Sequence, residues 1–152
     1  MRRLPALLLL ALLPSCAPAL LSPDPQARTI HGVRVSYQLA VDLPPGKVAS
    51  AQRLGDRCLI RVHPEHANAF ILAHELAHCL DQGRSKTFGN AGCVWRSYAC
   101  DPAEGYADTY ARLTYDRSGL RRDVLGWPGE SPTTDLPPHP DEVTPEVIRQ
   151  LQ

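Results

Sequence analysis

A small α+β domain is what the sequence predicts, and three stretches predict it. Thr29 to Val41 (TIHGVRVSYQLAV) alternates apolar and polar residues, as a half-buried strand does. Residues 65–82 (EHANAFILAHELAHCLDQ) repeat leucine at Leu72, Leu76 and Leu80, the four-residue spacing of a helix. Residues 101–117 (DPAEGYADTYARLTYDR) open with a capping aspartate and a proline suited to the first helical position. With 152 residues there is room for one such domain and hardly two.

Taken in order, the chain starts with MRRLPALLLLALLPSC. Arg2 and Arg3 give a charged start, and Leu4 to Leu13 is an apolar run too short to span a bilayer. Leu13-Pro14-Ser15-Cys16 resembles the lipobox of bacterial lipoproteins, with a leucine three before the cysteine and a small residue just before it; Pro14 departs from the usual pattern. That resemblance implies a signal peptide over 1–15, lipidation of Cys16, and anchorage to a bacterial envelope membrane, the outer one if the organism has one. An ordinary secretory signal with a chance cysteine is the alternative. Residues 16–28 carry Pro18, Pro23 and Pro25 without a period and read as a tether.

The folded domain is expected over 29–125. In its first strand Val33, Val35, Tyr37 and Leu39 share one face, and Arg34, Ser36 and Gln38 the other. Leu43-Pro44-Pro45-Gly46 is a turn, and Arg57 to Val62 (RCLIRV) a second strand, one that could hold an extended peptide beside it. The leucine helix follows, with Gly83 after it as a stop signal. Residues 84–100, with Gly89 and Gly92, form a loop before the second helix. The remaining stretch, 126–152, holds six prolines (128, 132, 137, 138, 140 and 145) and reads as an irregular wrap, with Thr144-Pro145 able to cap a last short helix, Glu146 to Leu151.

Charge excludes one class of partner. There are 16 basic and 16 acidic residues with no block of either sign, so nothing argues for nucleic acid. Without residues 1–15 the chain keeps 14 basic and 16 acidic residues, a net of −2. It also keeps Cys58, Cys79, Cys93 and Cys100, and four cysteines in an exported chain favour two disulfides. Three connectivities are possible. Cys93 and Cys100 share a loop, which favours that pair and leaves Cys58 with Cys79. No CxxC spacing supports a cysteine metal site.

The chemistry lies in HELAH. His74 and His78 are four apart, nearly opposite the leucine stripe, and on a helix they can reach one metal ion. Glu75 sits beside that ion without being aimed as a ligand. There it can accept a proton from water at the position that a catalytic zinc leaves open. Chance occurrences of this pattern are common. Here Ile71, Leu72, Ala73, Leu76, Ala77 and Leu80 make the helix apolar around much of its girth, and buried histidines need partners. Glu104 and Asp108 on the second helix are also four apart, on one face with Ala111 and Tyr115. Gly105 costs that helix about 1 kcal/mol against alanine, which makes sense if a backbone or substrate comes close.

HELAH, followed after 25 residues by EGYAD, resembles the HExxH…ExxxD pattern of gluzincins, the thermolysin-like metallopeptidases. The resemblance covers residues 70 to 110. It implies a zincin-like domain with one Zn2+ held by His74, His78 and Glu104, Asp108 orienting a zinc histidine, and Glu75 as general base in hydrolysis of a peptide or protein. It also implies a downstream His or Tyr for the oxyanion, for which Tyr98, Tyr110 and Tyr115 are unranked candidates. Asp101-Pro102-Ala103-Glu104 also fits, as the lesser alternative, a capping arrangement in which Glu104 reaches back to the cap amide. His31, His63, His66 and His139 read as surface or loop residues. Only 37 residues follow Tyr115, too few for the second domain of the larger gluzincins. A monomeric, membrane-anchored zinc metallopeptidase is thus expected. A zinc-stabilised binding or scaffolding lipoprotein without turnover is the rival.

Overall fold

The computed structural model describes residues 27–81, 87–118 and 137–152. The leader, Cys16, the tether up to residue 26, Gly83 and residues 119–136 lie outside them. Strands β1 (Arg28–Ile30), β2 (Val33–Leu39), β3 (Ala49–Leu54) and β4 (Arg57–Val62) form one mixed sheet. Its order is β1-β2-β4-β3, with β2 and β4 parallel and the other two pairs antiparallel. Helix α1 (Ala69–Leu80) and helix α2 (Pro102–Ser118) complete the α+β arrangement.

The sheet departs from the sequence reading in three places. The single strand expected over 29–41 is a hairpin: His31 and Gly32 both have positive φ, 46° and 79°, which suits the tight turn that joins twisted antiparallel strands. Strand β3 was not expected at all. Its ASAQRL sequence has one buried residue, Ala49, so it carries little apolar alternation to read. It is held by its ladder with β4 across the Gly55-Asp56 turn, where Gly55 has φ 63°. Third, β4 lies inside the sheet, paired to β2 on one side and β3 on the other, so no peptide can add to it. The sheet edge beside β4 is β3.

Burial follows the alternation where it was read. Val33 and Val35 are buried in β2 while Arg34 and Gln38 are exposed; Leu39, at the strand's end, is out in solvent. Cys58, Ile60 and Val62 of β4 join them in a core with Leu72, Leu76 and Leu80 of α1. Full burial of each leucine contributes roughly 1.5–3 kcal/mol.

Helix α1 begins four residues later than the apolar pattern suggests. Asn68 is its cap, its side chain accepting from the Ile71 amide at 3.0 Å. Pro64–His66 forms a separate 3-10 turn, capped by His63. Helix α2 starts where expected: Asp101 Oδ1 accepts from the amides of Ala103 (2.9 Å) and Glu104 (3.3 Å). The C-terminal stretch packs back on this frame through Val143 and Ile148 and ends in a 3-10 helix, Pro145–Gln150. Among the described residues no helix is long and apolar enough to cross a membrane.

Two disulfides brace the fold. Cys58–Cys79 ties β4 to the end of α1, and Cys93–Cys100 closes the loop before α2. Arg53 of β3 adds a further tie, its guanidinium donating to the Cys79 carbonyl at 2.6 Å.

Candidate metal centre

Helices α1 and α2 pack face to face, and the side chains singled out by spacing meet between them. Leu72, Leu76 and Leu80 turn α1 toward the core, which leaves His74 and His78 on the side facing α2. His74 Nε2 and His78 Nε2 stand 3.2 Å apart, with their rings edge to face. Glu104 Oε2 lies 3.1 Å from His74 Nε2 and 3.6 Å from His78 Nε2. Ligand atoms bonded at about 2.0–2.2 Å in a tetrahedral site are about 3.3–3.6 Å apart. The three atoms therefore have the spacing of three corners of such a site. His74, His78 and Glu104 could hold a metal ion.

The capping account of Glu104 does not fit this geometry. Its carboxylate is on the histidines, and the Asp101 amide donates instead to the Tyr98 carbonyl at 3.1 Å. Those histidine contacts hold the Glu104 carboxyl far below the usual range, so it is an anion at any working pH.

Asp108 stands behind His74. Its Oδ1 is 2.9 Å from His74 Nδ1, and the side chain is 1% exposed. Burial raises its pKa, but hydrogen bonds from His74 and Tyr98 outweigh that and leave the carboxyl below its ordinary value. An anion here accepts the Nδ1 proton as its hydrogen bond, so that when His74 gives up its other proton the lone pair is left on Nε2, toward His78 and Glu104. His74 is itself pulled two ways. Burial disfavours its charged form, while Asp108 and Glu104 favour it, and the net is a pKa raised to about 9.

Glu75 is 8% exposed, and burial is the main reason its pKa is raised. The charges of His74 and His78 pull it back down, Glu104 pushes it up, and Lys47 pulls it down. A buried carboxylate with a raised pKa beside a metal-capable triad takes up a proton more readily than an ordinary glutamate, as a general base must.

Gly105 finds its reason here. A Cβ on it would stand 2.5 Å from the Ala99 carbonyl oxygen and 3.1 Å from the Gly92 Cα. The first turn of α2, which carries Glu104, thus packs backbone to backbone on the loop closed by Cys93–Cys100. Gly92 is the partner that sequence reasoning missed; a second glycine just ahead of the disulfide loop was its only signal.

The three tyrosines separate. Tyr110 donates to the Pro138 carbonyl at 3.0 Å, and Tyr115 stacks on Phe70, so both belong to packing. Tyr98 reaches Asp108. His63, Glu65 and His66 make a second group, its His63 half-buried and the other two exposed, close enough to share an ion. The Glu65 amide donates to His63 Nδ1 there, and the Asp141 amide donates to His139 Nδ1 in the like turn His139-Pro140-Asp141-Glu142. Capping accounts for both. His31 lies against the C-terminal stretch, its Nε2 2.8 Å from the Pro137 carbonyl.

No protein-family model, curated protein or solved structure matches this chain.

Proposed function

We propose that the chain is a zinc-dependent metallopeptidase, a minimal zincin-like domain of the gluzincin kind, anchored through lipid on Cys16 to a bacterial envelope membrane. The observation that carries this reading is the His74, His78 and Glu104 triangle with Glu75 buried beside it. Two imidazoles and one carboxylate, leaving a position open, suit a catalytic zinc. Zinc held there would acidify a water and polarise a carbonyl oxygen.

The residues divide the remaining work. Asp108 fixes the tautomer and tilt of His74 through Nδ1. Glu75 takes the proton of the attacking water and later returns it to the leaving amine, a double duty that its raised pKa favours. Strand β3 offers the backbone edge along which an extended peptide could lie, since α1, which carries the histidines, packs beside β3 and β4. Two disulfides fit an exported chain.

The test compares the full chain with Glu75→Gln. Bound zinc is counted in both, and both digest a broad peptide library. The expected result is equal zinc and loss of cleavage in the variant. Equal cleavage by the two removes Glu75 as base. Zinc without cleavage in either leaves the non-catalytic zinc scaffold as the function.

A further inference from the structure

We propose that Tyr98 is a positioning residue of the metal centre, its hydroxyl holding Asp108 in the orientation that grips His74. This rests on reading His74 as a metal ligand. The hydroxyl stands 2.8 Å from each Asp108 carboxylate oxygen, and one of those oxygens, Oδ1, is also the partner of His74 Nδ1. The result is a chain from Tyr98 through Asp108 to His74 and on to the Nε2 that faces Glu104.

A surface tyrosine packed by chance is the plain alternative, since Tyr98 is 48% exposed. Two observations weigh against it. Half-exposed as the residue is, its hydroxyl ends on a carboxylate that is 1% exposed. A buried carboxylate is costly without donors, and Tyr98 and His74 are the two that reach its oxygens among the described residues. Burial and the Asp108 charge also hold the hydroxyl's pKa well above its ordinary value, so it stays a donor across the working range.

The backbone is arranged for the same end. Tyr98 sits in the 3-10 turn Ser97–Cys100, inside the Cys93–Cys100 loop, and its carbonyl accepts from the Asp101 amide at the start of α2. One residue thus ties the loop to the cap of α2 by its backbone and to Asp108 by its side chain. Tyr98 also borders a cavity of about 300 Å³ lined by Phe70, Ile71, Arg96, Asp108 and Arg112. Without the hydroxyl, water from that cavity can solvate Asp108 and draw it off His74.

The experiment measures zinc affinity by chelator competition on the full chain with both disulfides formed. The variants are Tyr98→Phe, Asp108→Asn, the double variant and His74→Ala. Loss of an outer partner of a metal-binding histidine weakens binding about 10- to 100-fold, and Tyr98→Phe, one step further out, is expected to weaken zinc about tenfold. In the Asp108→Asn background the same change should have no further effect, because its only route to the metal is gone. With cobalt in place of zinc, Tyr98→Phe should shift the visible absorption bands. A Tyr98→Phe affinity within twofold of the parent, or an undiminished loss in the Asp108→Asn background, overturns the positioning role while the metal centre stands. Zinc affinity unmoved by His74→Ala overturns the centre and the proposal together.

Discussion

Replacing Gly105 by alanine would ordinarily stabilise a helix. Glycine is about 1 kcal/mol worse than alanine inside one, and Gly105 lies in the first turns of a 17-residue helix. Here the sign should reverse. The new Cβ would meet the Ala99 carbonyl oxygen at 2.5 Å and the Gly92 Cα at 3.1 Å. Both are backbone atoms, and both belong to a segment held by Cys93–Cys100, so no side chain can rotate out of the way. Relief requires the loop and the helix start to part by several tenths of an ångström. Forced overpacking of this kind costs about 1–3 kcal/mol, and the contact distance favours the upper end. After the propensity gain, Gly105→Ala should lose about 1–2 kcal/mol. For a body of this size that lowers Tm by about 5–15 °C. The shift also moves Glu104, whose carboxylate is 3.1 Å from His74, so zinc affinity should fall with stability. Thermal unfolding followed by circular dichroism, with and without zinc, reads both. A variant that melts higher than the parent would refute the close-packing account, since propensity alone would then be at work.

Asp108→Ala should weaken zinc about 10- to 100-fold while leaving the ion bound at high concentration; a loss under twofold by chelator competition would separate Asp108 from the site. His74 has its pKa raised from 6.5 to about 9, so metal must displace its proton. Zinc affinity should therefore climb as pH rises toward 9 and level off above it, with about one proton released per ion near neutral pH. Calorimetry in buffers of different ionisation enthalpy measures that number, and zero release would remove the protonated His74. The same shift stabilises the chelated protein fully below pH 6.5, and this contribution should be lost as pH rises through 9. Converting Cys58 and Cys79 together to alanine opens a loop spanning 21 positions and should cost about 3 kcal/mol in urea unfolding, with an unchanged midpoint as the contrary result.

The helices were legible because their chemistry is local. His74, Glu75 and His78 on one helix, and Asp101, Pro102, Glu104 and Asp108 on the next, declare their faces by spacing alone. The disulfide pairs followed from loop length. Strand order was hidden because it is decided by distant partners: nothing in RCLIRV says that it takes β2 on one side and β3 on the other. The hairpin at His31 was missed because Gly32 is the one usual turn residue there and the apolar alternation runs on past it. The start of α1 was set too early because Pro64–His66 continues the helical pattern, while the Asn68 cap that ends it is one polar residue among several. Tyr98 was visible only as one of three tyrosines, since its meaning lies in a contact across ten positions.

The strand order also decides how the molecule can be handled. Strand β1, which begins at Arg28, is one edge of the sheet, and β3 is the opposite edge. With neighbouring strands about 4.8 Å apart, the two edges are separated by about 14 Å across the sheet. An affinity tag, a fluorescent fusion or a bead coupled ahead of Arg28 is therefore attached on the side remote from β3. Immobilisation through that end should leave the β3 edge accessible to a large protein, whereas cargo inserted at the Gly55-Asp56 turn would crowd it.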